Sequence, residues 1–205
     1  VKAGADLDRA LAEIAAGRIV VIAGDRLRGG DIDLMCAARH VSPEAINFMA
    51  THGRGLICLA VTAARAAQLG LTLINPGPER QTGRPFARSI EAASGVSTGI
   101  SAADRAHTVA AAIAPEASAA DIHSPGHVFP LIAQDGGVLA RPAACEAAID
   151  LARMAGAGDA AVICSIMRDD GEMARIDDIG ALLAEHGLAV AEIGALIERL
   201  EGAEA

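Results

Sequence analysis

The stretch 42–70, "SPEAINFMATHGRGLICLAVTAARAAQLG", carries the signals of three elements in one run. Ser42 stands at a helix N-cap, Pro43 at the first helical position, where a missing N–H costs nothing, and Gly53 closes the helix. "LICLAV" (56–61) is a short, continuously apolar run with no polar face, as expected of a strand covered on both sides. Thr62 then caps a second short helix. Helix, two-sided strand and helix together predict a layered α/β fold.

The same alternation extends outward from this unit. Upstream, "ADLDRALAEIAAG" (5–17) reads as a helix capped by Asp6, with Leu7, Ala10, Leu11 and Ile14 on one stripe and Gly17 at its end. "IVVIA" (19–23) is a buried strand. "GDRLRGGDIDL" (24–34) is glycine-rich and charged, so a mobile surface loop is expected. Downstream, "NPGPERQTGRPF" (75–86) suggests a long flap or crossover loop. "ARSIEAA" is a strand, and "SAADRAHTVAAAIAP" a helix from the Ser101 cap to Pro115. "SPGHVFPLIAQDGGVLA" (124–140) is a loop with a short strand pair around the Asp135-Gly136-Gly137 turn. "LARPAACEAAID" (139–150) leads into a helix over about Glu146 to Ala155. "AAVICSIM" (160–167) is a strand, "RDDGE" a turn, "IDDIGALLAEHG" a helix and "LAVAEI" a short strand before a last helix. The whole chain, 1–205, is expected to form a single α/β domain.

Composition removes several function classes. With no Trp, no Tyr and only Phe48, Phe86 and Phe129, there is almost no base-stacking surface. A net charge of −9 without a Lys/Arg run argues against nucleic acid as a partner. Cys36, Cys58, Cys145 and Cys164 are scattered, with no CxxC, which favours free thiols in a reducing cytosol over zinc or disulfides. No apolar run has transmembrane length and no basic-then-apolar leader is seen, so a cytoplasmic protein is expected. No GxGxxG or Walker loop supports nucleotide binding.

Five blocks in order, "PEAINFMATHGRGLICL", "GVSTGISAADRAHT", "PGHVFPL", "GGVLAR" and "DDGEMAR", resemble the 3,4-dihydroxy-2-butanone 4-phosphate synthase family of riboflavin biosynthesis, collinear over about residues 11–200. The resemblance implies a three-layer α/β fold with a mixed twisted sheet, a homodimer and active sites between subunits. It also implies a lyase that converts ribulose 5-phosphate, with Mg²⁺, into formate and dihydroxybutanone phosphate. Enolisation and skeletal rearrangement next to a carbonyl need acids, bases and a cation to polarise oxygen.

Against the family's pattern the chain departs at three places. The acidic loop Asp-Arg-Glu-x-Glu-Gly/Ala-Asp aligns so that Arg28 and Asp33 match, Asp31 stands for the second glutamate, and Gly29 falls on the metal-binding glutamate. The segment Arg-Gly-Gly-His-Thr-Glu becomes Arg141, Pro142, Ala143, Ala144, Cys145 and Glu146, which puts Ala144 on the metal-binding histidine. Ser165 stands where the family has a catalytic glutamate. No metal ligand is therefore expected at Gly29 or Ala144. Asp31 and Asp33, an i, i+2 pair facing one side of an extended segment, are the available oxygen donors.

Candidate catalytic residues are His127, retained in "PGHVFPL" as a general base, with Asp33, Asp31 and Cys145. Each has a plainer explanation. A lone histidine in an apolar turn is usually structural, and Cys145 in place of threonine can be a small buried hydrophobe, although a thiol beside a helix N-terminus and an arginine is acidified. Candidate substrate contacts are Arg28, Thr98, Ser101, Asp104, Arg105, Arg141 and Glu146. Of these, Ser101 serves equally as a helix cap, Asp104 with Arg105 as an ion pair, and Arg141 as a surface charge. Pro142 removes an N–H that a phosphate could have used.

Three readings follow. The first is an enzyme of altered acid/base chemistry on a small, enolisable, anionic carbonyl substrate. The second is the synthase itself, and the third a non-catalytic paralogue acting as an interaction or regulatory subunit.

Overall fold

The computed structural model describes residues 3–75 and 83–204. Its centre is a seven-stranded mixed sheet formed by β1 (Val20–Asp25), β2 (Asp31–Ala37), β3 (Cys58–Val61), β4 (Ile90–Ala92), β5 (Ile122–Ile132), β6 (Ala161–Ser165) and β7 (Val190–Glu192). The strand order is β4-β5-β3-β6-β2-β1-β7. β3 pairs with β5, and β1 with β7, in parallel; the remaining neighbours are antiparallel.

Eight α-helices among the described residues accompany it: α1 (Ala3–Ala15), α2 (Pro43–His52), α3 (Ala63–Gln68), α4 (Ala102–Ile113), α5 (Gly137–Ala140), α6 (Ala144–Met154), α7 (Gly180–His186) and α8 (Ile193–Glu204). Alternate residues of each central strand point to opposite faces. Val20, Ile22, Met35, Ala37 and Ile163 join α1, α6 and α8 in one core, while Val21, Leu34, Cys36, Val162 and Cys164 join α2 and α4 in a second. Three layers follow directly.

The caps expected at Ser42, Thr62 and Ser101 are observed, and the one expected at Asp6 is not. Ser42 Oγ accepts from Ala45 N–H, Thr62 Oγ1 from Arg65 N–H, and Ser101 Oγ from Asp104 N–H. Asp6 instead sits in the first turn of α1, which begins at Ala3.

Two expectations are overturned. Residues 24–34 form no mobile surface loop. Asp25 ends β1, a single 3-10 turn spans Arg26–Arg28, and β2 begins at Asp31, buried over its whole length. Gly29 and Gly30 both adopt left-handed φ, which supplies the tight reversal and explains the glycines without invoking mobility. Likewise no strand pair flanks Asp135-Gly136-Gly137; an eleven-residue β5 runs to Ile132, and α5 follows. The helix expected from Glu146 starts at Ala144, which places Cys145 inside its first turn. Most of the expected flap, 76–82, lies outside the described residues.

Candidate active site

At one end of the central strands β2 and β6 a polar cluster replaces the apolar core. Asp33, opposite Ser165 in the β2–β6 ladder, is completely buried. A buried carboxylate needs a cation or several donors. Arg84 supplies the cation, pairing with Asp33 Oδ1 and donating to Ser165 Oγ at 2.7 Å; Ser165 Oγ in turn donates to Asp33 Oδ1 at 2.9 Å. Asp33 Oδ2 has no partner. Burial alone would weaken the Arg84 proton, but Asp33 holds the guanidinium firmly charged.

Three further carboxylates surround this triad. Asp31 accepts from Arg28 (Nη2 at 2.6 Å) and from Arg175, which hold its carboxyl below the usual range although burial pushes the other way. Glu146, fully buried, accepts from Arg141 Nη1 at 2.8 Å and from Gln134 N–H at 2.9 Å; burial nevertheless raises its pKa. Asp25 spends its oxygens on the backbone, accepting from Leu27 N–H at 3.1 Å and from Ala144 N–H at 3.0 Å. Asp25 thereby caps α6, a helix whose own N-cap residue, Ala143, has no side-chain acceptor.

Asp25, Arg28, Arg84, Arg141, Ala144 and Cys145 line a common space of only about 10 Å³. Next to it opens a larger cleft of about 410 Å³, walled by Leu56, Ile74, Phe86 and Phe129 and reached by Arg84 at its rim. An apolar cleft with few converging polar groups has the form of a small-molecule site.

His127 belongs to a separate cluster. Its Nδ1 pairs with Glu91 on the neighbouring strand β4. Gly99 lies against that carboxylate so closely that a Cβ there would run into Glu91. Asp104 accepts from Gly99 N–H and Ser97 Oγ, both at 3.0 Å, and so ties the 94–99 bend to the start of α4. Asp33 and His127 lie on β2 and β5, with β6 and β3 between them. At about 4.8 Å per strand they stand roughly 14 Å apart within one chain, too far to act on the same bond.

Several sequence-predicted roles change here. Asp104 does not pair with Arg105; the Arg105 Nε is buried without a hydrogen-bond partner and burial weakens the guanidinium's hold on its proton. Cys145 is buried, near Leu131 O, and desolvation raises its thiol pKa well above the ordinary value; Glu146 adds to the rise and outdoes the help of Arg141. The geometry therefore supports the buried-hydrophobe explanation for Cys145 and not an activated thiolate. Arg141 is no loose surface charge but is held in a buried pair. Thr98 is exposed in the bend before α4. Residues the sequence did not single out are Arg84, Asp25, Glu91 and Arg175. An arginine immediately before Pro85 was the available hint for the first.

The family's Mg²⁺ has no ready ligand set. Gly29 and Ala144 offer no side-chain donor, Asp31 and Asp33 are each neutralised by arginine, and no group of three potential ligands exists among the described residues. The residues present do not fit the ion.

The synthase family model matches residues 8–199. The chain belongs to the 3,4-dihydroxy-2-butanone 4-phosphate synthase family. A 3,4-dihydroxy-2-butanone 4-phosphate synthase of Pseudomonas aeruginosa is 51% identical over 191 residues, 93% of this chain and 52% of the relative. The riboflavin biosynthesis protein RibBA of Aquifex aeolicus is 47% identical, over 94% of this chain and 48% of that protein. The chain thus spans about half the length of these curated relatives. Among solved structures, a synthase in complex with two magnesium ions superposes with a TM-score of 0.89 at 34% identity, covering 97% of both chains. The two-domain synthase RibBX of A. baumannii gives 0.88 at 46% identity, over 93% of this chain and 56% of that one. The mixed α/β fold expected of the synthase family is the fold observed. No helix among the described residues is long and apolar enough to cross a membrane.

Proposed function

We propose that the chain performs the carbonyl acid–base chemistry of the synthase family on a small phosphorylated ketose, with the synthase reaction on ribulose 5-phosphate as the first reading. Relatives near 50% identity over more than nine-tenths of the chain carry that name. The observation that carries the reading within the molecule is the paired His127–Glu91, a base with its orienting carboxylate, on the adjacent strands β5 and β4 of the retained fold. Arg28, Arg84 and Arg141 supply the positive side for an anionic substrate. Ser101, Thr98 and Arg105, on or before the first turn of α4, are the remaining candidate contacts.

Because His127 and Asp33 stand three strands apart, the reading requires a second copy to bring one chain's His127 toward the other's Asp33. A cytoplasmic homodimer is part of the proposal. The exposed Leu56, Ile74 and Ile100 offer apolar surface for such an interface.

A second reading, altered chemistry on a similar anionic carbonyl substrate, is favoured by one specific feature: Ser165, hydrogen-bonded to Asp33 and Arg84, stands where the family uses a glutamate. The deciding experiment incubates the chain with ribulose 5-phosphate, in Mg²⁺ and separately in EDTA, and measures formate and the phosphorus NMR spectrum. Formate with a new phosphate ester supports the synthase reading. Consumption without formate replaces it with the second, and an unchanged substrate with correctly dimeric protein removes both.

A further inference from the structure

The charges at the candidate site balance without any metal ion. Around it stand four carboxylates, Asp25, Asp31, Asp33 and Glu146, and four arginines, Arg28, Arg84, Arg141 and Arg175. Three carboxylates are engaged by guanidinium groups and the fourth, Asp25, by two backbone N–H groups. Of their oxygens only Asp33 Oδ2 is left without a partner among the described residues, so a divalent ion would find a single free carboxylate oxygen and could gain a second only by displacing a guanidinium or an N–H group. Space argues in the same direction. About 10 Å³ beside Ala144 accommodates at most one water, whereas Mg²⁺ holds an octahedral shell and parts from its waters reluctantly.

We propose that Arg84 is the resident cation of this site. It takes over the charge role of a divalent metal, so that the site receives a small phosphorylated or otherwise anionic hydroxycarbonyl compound without Mg²⁺. Three features converge on this assignment. The Arg84 side chain is only 8% exposed and is fixed from two sides, by Asp33 and by Ser165. Ser165 leaves room and an acceptor for the guanidinium, where a carboxylate side chain would add a second negative charge beside Asp33. Asp33 Oδ2, a buried acceptor without a partner, lacks one donor, and a ligand hydroxyl would supply it. Arg84 also lies at the boundary between the small polar space and the 410 Å³ cleft, so its outer face is available to a ligand oxygen. The inference refines the site used under Proposed function and rests on that reading for its ligand class, but not for its test.

The test measures metal binding, not turnover. The full chain, Arg84→Met and Arg84→Met/Asp33→Asn are titrated with Mn²⁺ and followed by electron paramagnetic resonance, and their melting temperatures are compared with and without Mg²⁺. The wild type is expected to show no saturable Mn²⁺ binding and no Mg²⁺-dependent shift. Arg84→Met, which strips Asp33 of its cation, is expected to acquire both, and the double variant to lose both again. Saturable Mn²⁺ binding by the wild type, or a folded Arg84→Met that stays indifferent to metal, overturns the proposal. If Arg84→Met alone does not fold, a folded, metal-indifferent double variant supports the charge role, and a double variant that also fails to fold shows that Arg84 acts by packing, which overturns it. Formate release that occurs only with Mg²⁺, together with Mn²⁺ binding, would sink this inference and leave the synthase reading intact. A metal-indifferent chain that turns nothing over would do the reverse.

Discussion

Glu146→Ala tests whether the segment after β5 is held in place by a buried ion pair. In the wild type, Glu146 is fully buried and accepts from Arg141 at 2.8 Å and from Gln134 N–H at 2.9 Å, while Arg141 reaches on to Gly83 O at 2.7 Å. Removing the carboxylate leaves a guanidinium with an 11% exposed side chain, and one backbone donor, without their acceptor. Breaking a buried pair from one side costs about 3–5 kcal/mol. For a chain of this length, at roughly 2–4 °C per kcal/mol, that predicts a fall in Tm of about 6–20 °C. Glu146→Gln keeps the shape and an acceptor for Gln134 N–H, so its cost should be nearer 1–3 kcal/mol. The pair Glu146→Leu/Arg141→Met, which removes both charges, should recover part of the loss relative to Glu146→Ala. Urea unfolding at neutral pH reads all three. A Glu146→Ala protein within about 1 kcal/mol of wild type would refute the reasoning, because only a pair open to water is worth so little.

Other expectations can be checked with the same protein. Asp31 has a depressed folded-state pKa, so its contribution is complete above the unfolded value near 3.8 and is lost as the pH falls through the folded one; Asp31→Asn should flatten the acid limb of a stability–pH profile, and an unchanged limb would speak against the Arg28 and Arg175 pairing. All four cysteines are buried, with Cys36 pushed up to about 11 and Cys58 and Cys164 to about 12, so the native protein should resist a thiol reagent until unfolded; rapid labelling of Cys145 would restore it as a candidate nucleophile. Gly99→Ala meets both a left-handed φ of 78° and the Glu91 carboxylate, and should cost about 1–3 kcal/mol while disturbing the His127 pairing, visible as displaced His127 ring resonances in NMR; a neutral substitution with unmoved resonances would contradict this.

What the sequence made legible is the local chemistry. Ser42, Thr62 and Ser101 cap their helices because a cap is decided by residues within one turn. The family blocks were likewise readable along the chain. Residues 24–34 were not, for a physical reason: charge and glycine signal a loop only when nothing distant neutralises the charge. Asp33 is neutralised by Arg84 and Asp31 by Arg175, 51 and 144 positions away, and no local pattern announces either partner. Asp104 was expected to pair with Arg105, yet successive residues of a helix diverge by about 100°, and the carboxylate turns back to the 94–99 bend. Cys145 looked reactive from its place beside a helix N-terminus and an arginine, whereas desolvation outweighs both.

The central claim, action on a small phosphorylated ketose at a site whose cation is an arginine, is tested most directly by phosphorus NMR of ribulose 5-phosphate incubated with the chain in EDTA. The account predicts that the substrate signal is consumed and that Arg84→Met prevents this; a substrate signal that stays unchanged in EDTA, whether or not Mg²⁺ brings about its loss, would contradict it.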